Sequence, residues 1–150
     1  MKRLLVLVFA FVFLFCFMGQ AIGAGTASEA EALVKKAAAF LKANGKDKTL
    51  AEISKAKGQF DKGELYIFAY DMKATVIAHP KNPKIIGKNL YDVPDSSGKY
   101  FRRDVVEIAK TKGSGWVDYK YLNPETKKIE NKTTYIYKVD DVILACGVYK

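Results

Sequence analysis

The chain closes on Val142-Ile143-Leu144-Ala145-Cys146-Gly147-Val148-Tyr149, and no other stretch restricts the fold as much. Successive side chains of a strand point to opposite faces. Val142, Leu144, Cys146 and Val148 then share one face, and Ile143, Ala145, Gly147 and Tyr149 the other. A strand apolar on both faces belongs at the centre of a sheet that is covered on both sides. The fold must therefore supply two covering layers.

The sequence offers one for each side. Ser28 and Glu31 form a capping-box pattern that opens a helix. Leu33, Val34, Ala37, Ala38, Phe40 and Leu41 give that helix an apolar stripe, and Asn44-Gly45 stops it. A second, shorter helix is predicted over Lys46 to Lys57. The opposite layer is predicted between Lys81 and Lys112. It begins as a loop carrying Pro83, Gly87 and Pro94, and turns at Asp95-Ser96-Ser97-Gly98, a stretch that can also cap the next helix. It ends as a helix with Phe101, Val105, Val106, Ile108 and Ala109 inward, closed by Gly113.

Four more strands are predicted around the closing one: Glu64 to Asp71, Thr75 to His79, Gly115 to Leu122 and Ile129 to Val139. The turns between them, at Met72-Lys73-Ala74, Asn123-Pro124-Glu125 and Asp140-Asp141, imply hairpins. The order is helix, helix, two strands, helix, three strands, which is an α+β antiparallel arrangement.

Three of these strands alternate aromatics that end in hydroxyls. Tyr66, Phe68 and Tyr70 do so in the first, Tyr119 and Tyr121 in GWVDYKY, and Tyr135 and Tyr137 in TTYIYK. Tyrosine offers an apolar body with one polar tip. Pockets are mostly apolar with a few placed polar groups, so shared facing would make these residues a pocket wall. Tyrosine also favours strands for packing reasons alone. A one-residue shift of register reverses the facing, so sequence leaves both readings open.

The first residues stand apart from this pattern. Lys2 and Arg3, the apolar run Leu4 to Met18 and the small residues up to Ala24 describe a secretory signal peptide, with cleavage expected after Ala24. The run of 15 residues is short against the roughly 20 of a membrane-spanning helix; retention as an anchor is the alternative. Phe15 before Cys16 argues against a lipoprotein cysteine. Residues 25–150 are then one exported domain, periplasmic or secreted, whose single cysteine, Cys146, is expected as a buried small hydrophobe.

Lys2 and Arg3 carry two of the nine net positive charges. The remaining lysines are scattered, and export argues against nucleic acid, so the charge reads as a solvated surface that also attracts small anions. Catalysis finds little support: there is no Ser-His-acid grouping, no glycine-rich phosphate loop and no HExxH. His79 is the single histidine, and without a second histidine or a cysteine cluster no metal site or cofactor is expected.

The segments YIFAYDMKATVIAHPKNPKIIGKNLYDVPDSSGKYF (Tyr66 to Phe101) and GSGWVDYKYLNPETKKIENKTTYIYKVDDVILACGVYK (Gly113 to Lys150) resemble the single Cache domain of the type 2 family. AHP…NP…IGKN, GSGWVDYKY with its following NP, and the closing CGVY carry the likeness. It implies a PAS-like, five-stranded antiparallel sheet. The long N-terminal helix would lie on one face, loops plus a short helix on the other, with a small-molecule ligand between the sheet and those loops. The chain departs from the family in having Ala74 where Asp-x-x-Gly is usual, and Tyr121 where a tryptophan often follows the YK pair.

Carried over residue by residue, the resemblance implies a ligand site of Phe68, Tyr70, His79, Trp116, Tyr119, Tyr121, Lys132 and Tyr135. Lys132 would pair with a carboxylate. Trp116 cannot share a face with Tyr119 and Tyr121 in a regular strand unless a bulge turns it. The expected role is an extracytoplasmic sensor for a small organic acid. With no output module after Lys150, it would need a membrane-bound receptor or kinase as partner, and pairing of two copies through the N-terminal helix is a family expectation. The competing reading is a protein-interaction module whose pocket is filled by its own side chains.

Overall fold

The computed structural model describes residues 25–150; the expected signal segment, 1–24, lies outside them. Helix α1 (Ala27–Asn44) starts two residues earlier than its first capping pattern implies. Thr26 and Glu29 form the capping box instead, with the Glu29 carboxylate 2.7 Å from the Thr26 backbone nitrogen. The same Thr/Ser-x-x-Glu spacing occurs at both sites, and the upstream one satisfies the first free N–H groups. Gly45, at φ 81°, ends α1 and starts α2 (Lys46–Ile53), which is four residues shorter than predicted.

A sixth strand, missed in the sequence, is a two-residue ribbon: β1 (Asp61–Lys62) pairs with the start of β2 (Leu65–Asp71). β3 (Val76–Ala78) pairs with the far end of that same edge of β2. The remaining strands are β4 (Ser114–Leu122), β5 (Ile129–Val139) and β6 (Val142–Tyr149). The sheet runs β1-β2-β6-β5-β4, antiparallel at every pairing. β6 lies between β2 and β5, and all eight of its residues are buried. Its two apolar faces meet two separate cores. Leu144, Cys146 and Val148 pack with Ala30, Val34, Ala37 and Leu41 of α1. Ile143 and Ala145 pack with α3 (Phe101–Thr111), through Phe101, Val105 and Ala109. This is the layered, PAS-like α+β fold.

The second layer is tied down along its length. The loop after β3 lies beside that strand through Val76 N–H to Lys88 carbonyl (3.0 Å) and Leu90 N–H to Ala74 carbonyl (3.1 Å). Ala74 takes the turn's left-handed position at φ 61°, which a glycine would occupy without steric cost. Asp95 does not cap α3, whose N-cap is Tyr100. Its carboxylate accepts from the N–H groups of Ser97 (2.8 Å) and Lys99 (2.9 Å) and, across to the open edge of β4, from that of Lys120 (2.8 Å). Burial alone would raise this carboxyl's pKa. The Ser97 hydroxyl and the three N–H donors outweigh it and hold the group well below the usual carboxylate range. The turn is thereby stapled to the sheet edge. Cys146 is a buried thiol, pushed up to about 12 by burial, and is chemically inert.

Candidate functional site

The face of the sheet beneath the loop layer is built by register. β5 pairs with β4 so that Lys132 sits opposite Tyr119, and with β6 so that Lys132 sits opposite Tyr149. The alternation of each strand then brings Tyr66, Phe68 and Tyr70 of β2, Tyr119 and Tyr121 of β4, Lys132 and Ile136 of β5 and Tyr149 of β6 to the same side. The Tyr66 series and the Tyr119 pair therefore share a face, as the pocket-wall reading requires.

Trp116 and Tyr135 do not join them. They are opposite each other in the β4–β5 register and meet at a tilted angle, centroids 5.2 Å apart, on the α1 side, where Trp116 is partly open to solvent. Tyr137 follows Tyr135 to that side. The physical reason is strand parity. Lys132, Thr134 and Ile136 take the site face of β5, so the odd-numbered tyrosines face away. No bulge interrupts the β4–β5 pairing to reverse this for Trp116.

Lys132 is the centre of the site. The residue is 1% exposed and its ammonium lies among four aromatic rings, 4.4 Å from the centroid of Tyr149, 4.5 Å from Tyr66, 5.4 Å from Phe68 and 5.6 Å from Tyr121. Nζ donates to the hydroxyls of Tyr66 (2.9 Å) and Tyr149 (3.1 Å). Those hydroxyls are 3.3 Å apart, and Tyr149 donates its own proton to the carbonyl of Leu122 (3.1 Å). An ammonium has three donors, so one remains without a hydrogen-bond partner among the described residues. No carboxylate pairs with Lys132 among those residues. The buried carboxylate of Asp61 is already engaged with Lys81 at 2.7 Å.

Burial without a counter-charge pushes the Lys132 pKa down to about 7. Tyr66 and Tyr119 are raised well above 10, first by burial, so neither supplies a negative partner. Gly147 makes the arrangement sterically feasible. A Cβ at that position would lie 2.3 Å from both Cε of Lys132 and Oγ1 of Thr134, so only glycine lets the lysine stem cross β6.

His79 closes one end of the site. Its ring stacks on Phe68 at 5.6 Å and meets Tyr66 at 5.4 Å. Nδ1 accepts from the backbone N–H groups of Lys81 (3.2 Å) and Asn82 (3.0 Å), which leaves Nε2 as the protonated nitrogen. Burial, then the charges of Lys132 and Arg102, lower its pKa to about 3. The imidazole is thus a neutral donor at physiological pH. Its unfolded value of 6.5 lies above the folded one, so the unfolded chain binds the proton first and the fold loses stability as pH falls below 6.5. By about pH 4.5 this amounts to roughly 2.7 kcal/mol. Chemical denaturation between neutral pH and pH 4.5 should show a steeper loss for the wild type than for His79→Asn, whose amide oxygen can replace the Nδ1 acceptor. Equal slopes would show that His79 titrates normally.

A groove of about 360 Å³ between the Asp95–Lys99 turn and strands β4 and β5 reaches Tyr119 and Lys132, with the exposed Lys99, Lys120 and Lys150 around it. Of the sequence-derived candidates, Phe68, Tyr70, His79, Tyr119, Tyr121 and Lys132 converge. Tyr149, Arg102 and Gly147 were missed, and Tyr66, named in the pocket-wall alternation, was not carried into the site. Tyr66 shares the alternation of Phe68 and Tyr70, and Tyr149 shares that of Ile143 and Ala145; both signals were in the sequence.

The arrangement has counterparts. Over 86 residues, or 56% of the chain, the sequence is 30% identical to the sensor histidine kinase MctS of Rhizobium johnstonii and to the methyl-accepting chemotaxis protein McpP of Pseudomonas putida. The matched region spans 18% and 16% of those proteins, less than a fifth of either. A methyl-accepting chemotaxis protein from Vibrio parahaemolyticus superposes with a TM-score of 0.71 at 20% identity, over 81% of this chain and 86% of that one. A periplasmic sensor domain of a chemotaxis protein gives 0.64 at 22% identity, over 81% and 88%. A Cache chemosensory domain solved for its carboxylic acid recognition gives 0.63 at 26% identity, over 81% and 86%. With a Cache domain family model matching residues 26–149 as well, the chain belongs to the Cache domain family.

Proposed function

We propose that residues 25–150 form a non-catalytic, extracytoplasmic sensor module that binds a small carboxylate at Lys132, after export directed by residues 1–24. The observation that carries this reading is the fully buried ammonium, which among the described residues has an unused donor and only neutral hydrogen-bond partners. A buried charge is costly unless paired, and a carboxylate supplies the pair with charge-assisted hydrogen bonds. Lys132 gives the ion pair, the Nε2–H of His79 and the tyrosine hydroxyls donate to ligand oxygens, and Phe68 with its neighbouring rings encloses the carbon chain. The groove carries Lys99, Lys120 and Lys150 against Asp95 and Asp118, and this excess of positive charge favours anions near Lys132. Carboxylic acid recognition by a structural relative of the same family supports the assignment. The module passes its signal to a membrane-bound receptor or kinase, in keeping with the kinase and chemoreceptor relatives. Pairing of two copies through α1 would suit such coupling.

The test is thermal denaturation of the purified chain with short carboxylates, amino acids and amines. A ligand at a hundred times its dissociation constant stabilises a fold by about 2.7 kcal/mol, a shift of several degrees. A shift confined to carboxylates and lost in Lys132→Met is the expected result. A well-folded sample that responds to nothing would favour an interaction module whose interior is filled by its own side chains.

A further inference from the structure

Lys132 is not the only unpaired cation on this face. Arg102, in the first turn of α3, is 4% exposed. Its Nε donates to the Tyr70 hydroxyl at 3.3 Å and a terminal nitrogen donates to the Val93 carbonyl at 3.2 Å. Its guanidinium lies over the Phe101 ring at 4.2 Å. All three partners are neutral, and no carboxylate forms an ion pair with Arg102 among the described residues. A guanidinium has five N–H donors, and two are used here.

The two cations flank one row of side chains. Arg102 holds Tyr70; the Tyr70 ring meets Phe68 at 5.6 Å; Phe68 lies 5.4 Å from Nζ of Lys132 and stacks on His79. Both charges also act on the same imidazole: after burial, they are the next causes of its lowered basicity. A monoanion at Lys132 would leave one buried positive charge on this face. A dianion would leave none.

We propose that the site is built for a short dicarboxylate, with one carboxylate on Lys132, the other on Arg102, and His79 donating between them. This rests on the carboxylate reading of Lys132 and adds the charge and the second anchor. Because Arg102 also holds Val93, the second carboxylate would engage the loop layer as well as the sheet.

Calorimetric titration of the purified chain with succinate and malonate, against propionate and acetate at neutral pH, tests the proposal. The dicarboxylate is expected to bind at least about tenfold more tightly than the monocarboxylate it is compared with. Arg102→Gln is expected to erase that preference by weakening the dicarboxylate, whereas Arg102→Lys, which keeps the charge, retains part of it. Propionate or acetate binding as tightly as the dicarboxylates, in a Lys132-dependent way, overturns the dianion and leaves carboxylate sensing standing. A preference that persists in folded Arg102→Gln also overturns it. Should the glutamine variant not fold, the wild-type ranking decides. Silence with all four probes overturns the carboxylate reading itself.

Discussion

Lys132→Met is expected to make the unliganded chain more stable and, in the same molecule, to abolish stabilisation by carboxylates. The lysine is buried with its pKa lowered from 10.5 to about 7, and that gap corresponds to ~5 kcal/mol of unfavourable burial at neutral pH. Methionine fills much of the same volume without the charge. Nor does it strand the tyrosines: Tyr66 and Tyr149 remain 3.3 Å apart, and Tyr149 still donates to Leu122. Part of the gain is lost with the ammonium's contacts to the rings, so a net rise of roughly 2–4 kcal/mol is expected. This is a melting increase on the order of 10 °C.

The pH dependence separates this cause from better packing. Between about pH 7 and 10.5 the unfolded wild type holds a proton on Lys132 that the folded chain has released. Wild-type stability should therefore rise with pH across that window, and the advantage of the methionine variant should shrink from its full value at pH 7. The Cys146 thiol opposes the effect of burial on Lys132 only in part, and the hydroxyls bonded to the ammonium are those of Tyr66 and Tyr149. Those tyrosines that titrate above 10 make pH 7 to 9.5 the clean interval. A variant less stable than wild type, or an advantage constant across pH, would show that Lys132 is not an uncompensated charge.

Gly147→Ala is expected to damage both stability and binding. Its backbone is ordinary strand, so the fault is not conformational. The added methyl lies 2.3 Å from Cε of Lys132 and 2.3 Å from Oγ1 of Thr134. Thr134 cannot retreat freely, because its β-branched side chain sits in β5 and its hydroxyl bonds Tyr119 at 2.8 Å. Lys132 is held by its cage. Overpacking of this kind costs about 1–3 kcal/mol, and any relief must come from moving the lysine stem. Denaturant midpoints should fall accordingly, and carboxylate binding should weaken by at least about tenfold, a change of about 1.4 kcal/mol. Wild-type binding in the alanine variant would mean that the stem has room to spare.

Much of this molecule is legible as sequence because burial is written into local patterns. The double apolar face of Val142–Tyr149 required a central strand with two covers, and the alternation of Leu33 to Leu41 announced one of them. The bounds of β5 and β6 follow directly from where the apolar alternation meets turn residues. Errors of detail came where two local solutions compete. Thr26–Glu29 and Ser28–Glu31 are equally good capping boxes on paper, and Asp95 can staple a turn or cap a helix.

The site was legible in kind and not in facing. Alternating tyrosines told of strands that carry polar tips inward, and Lys132 was recognisable as the cation through family likeness. Sequence could not say that Trp116 and Tyr135 look toward α1 while Tyr119 and Lys132 look toward the loops, since facing depends on pairing between strands that are distant in the chain. Nor could it show that neither Lys132 nor Arg102 meets an acid among the described residues. Sequence by itself determined the longer strands, which of them is central and that aromatic and lysine side chains alternate along them, because these are properties of local period and polarity. The tertiary structure alone decided the register, the aromatic enclosure of Lys132 and the uncompensated charge. Those arise only when residues 66, 102, 132, 147 and 149 meet in a space from which water is excluded.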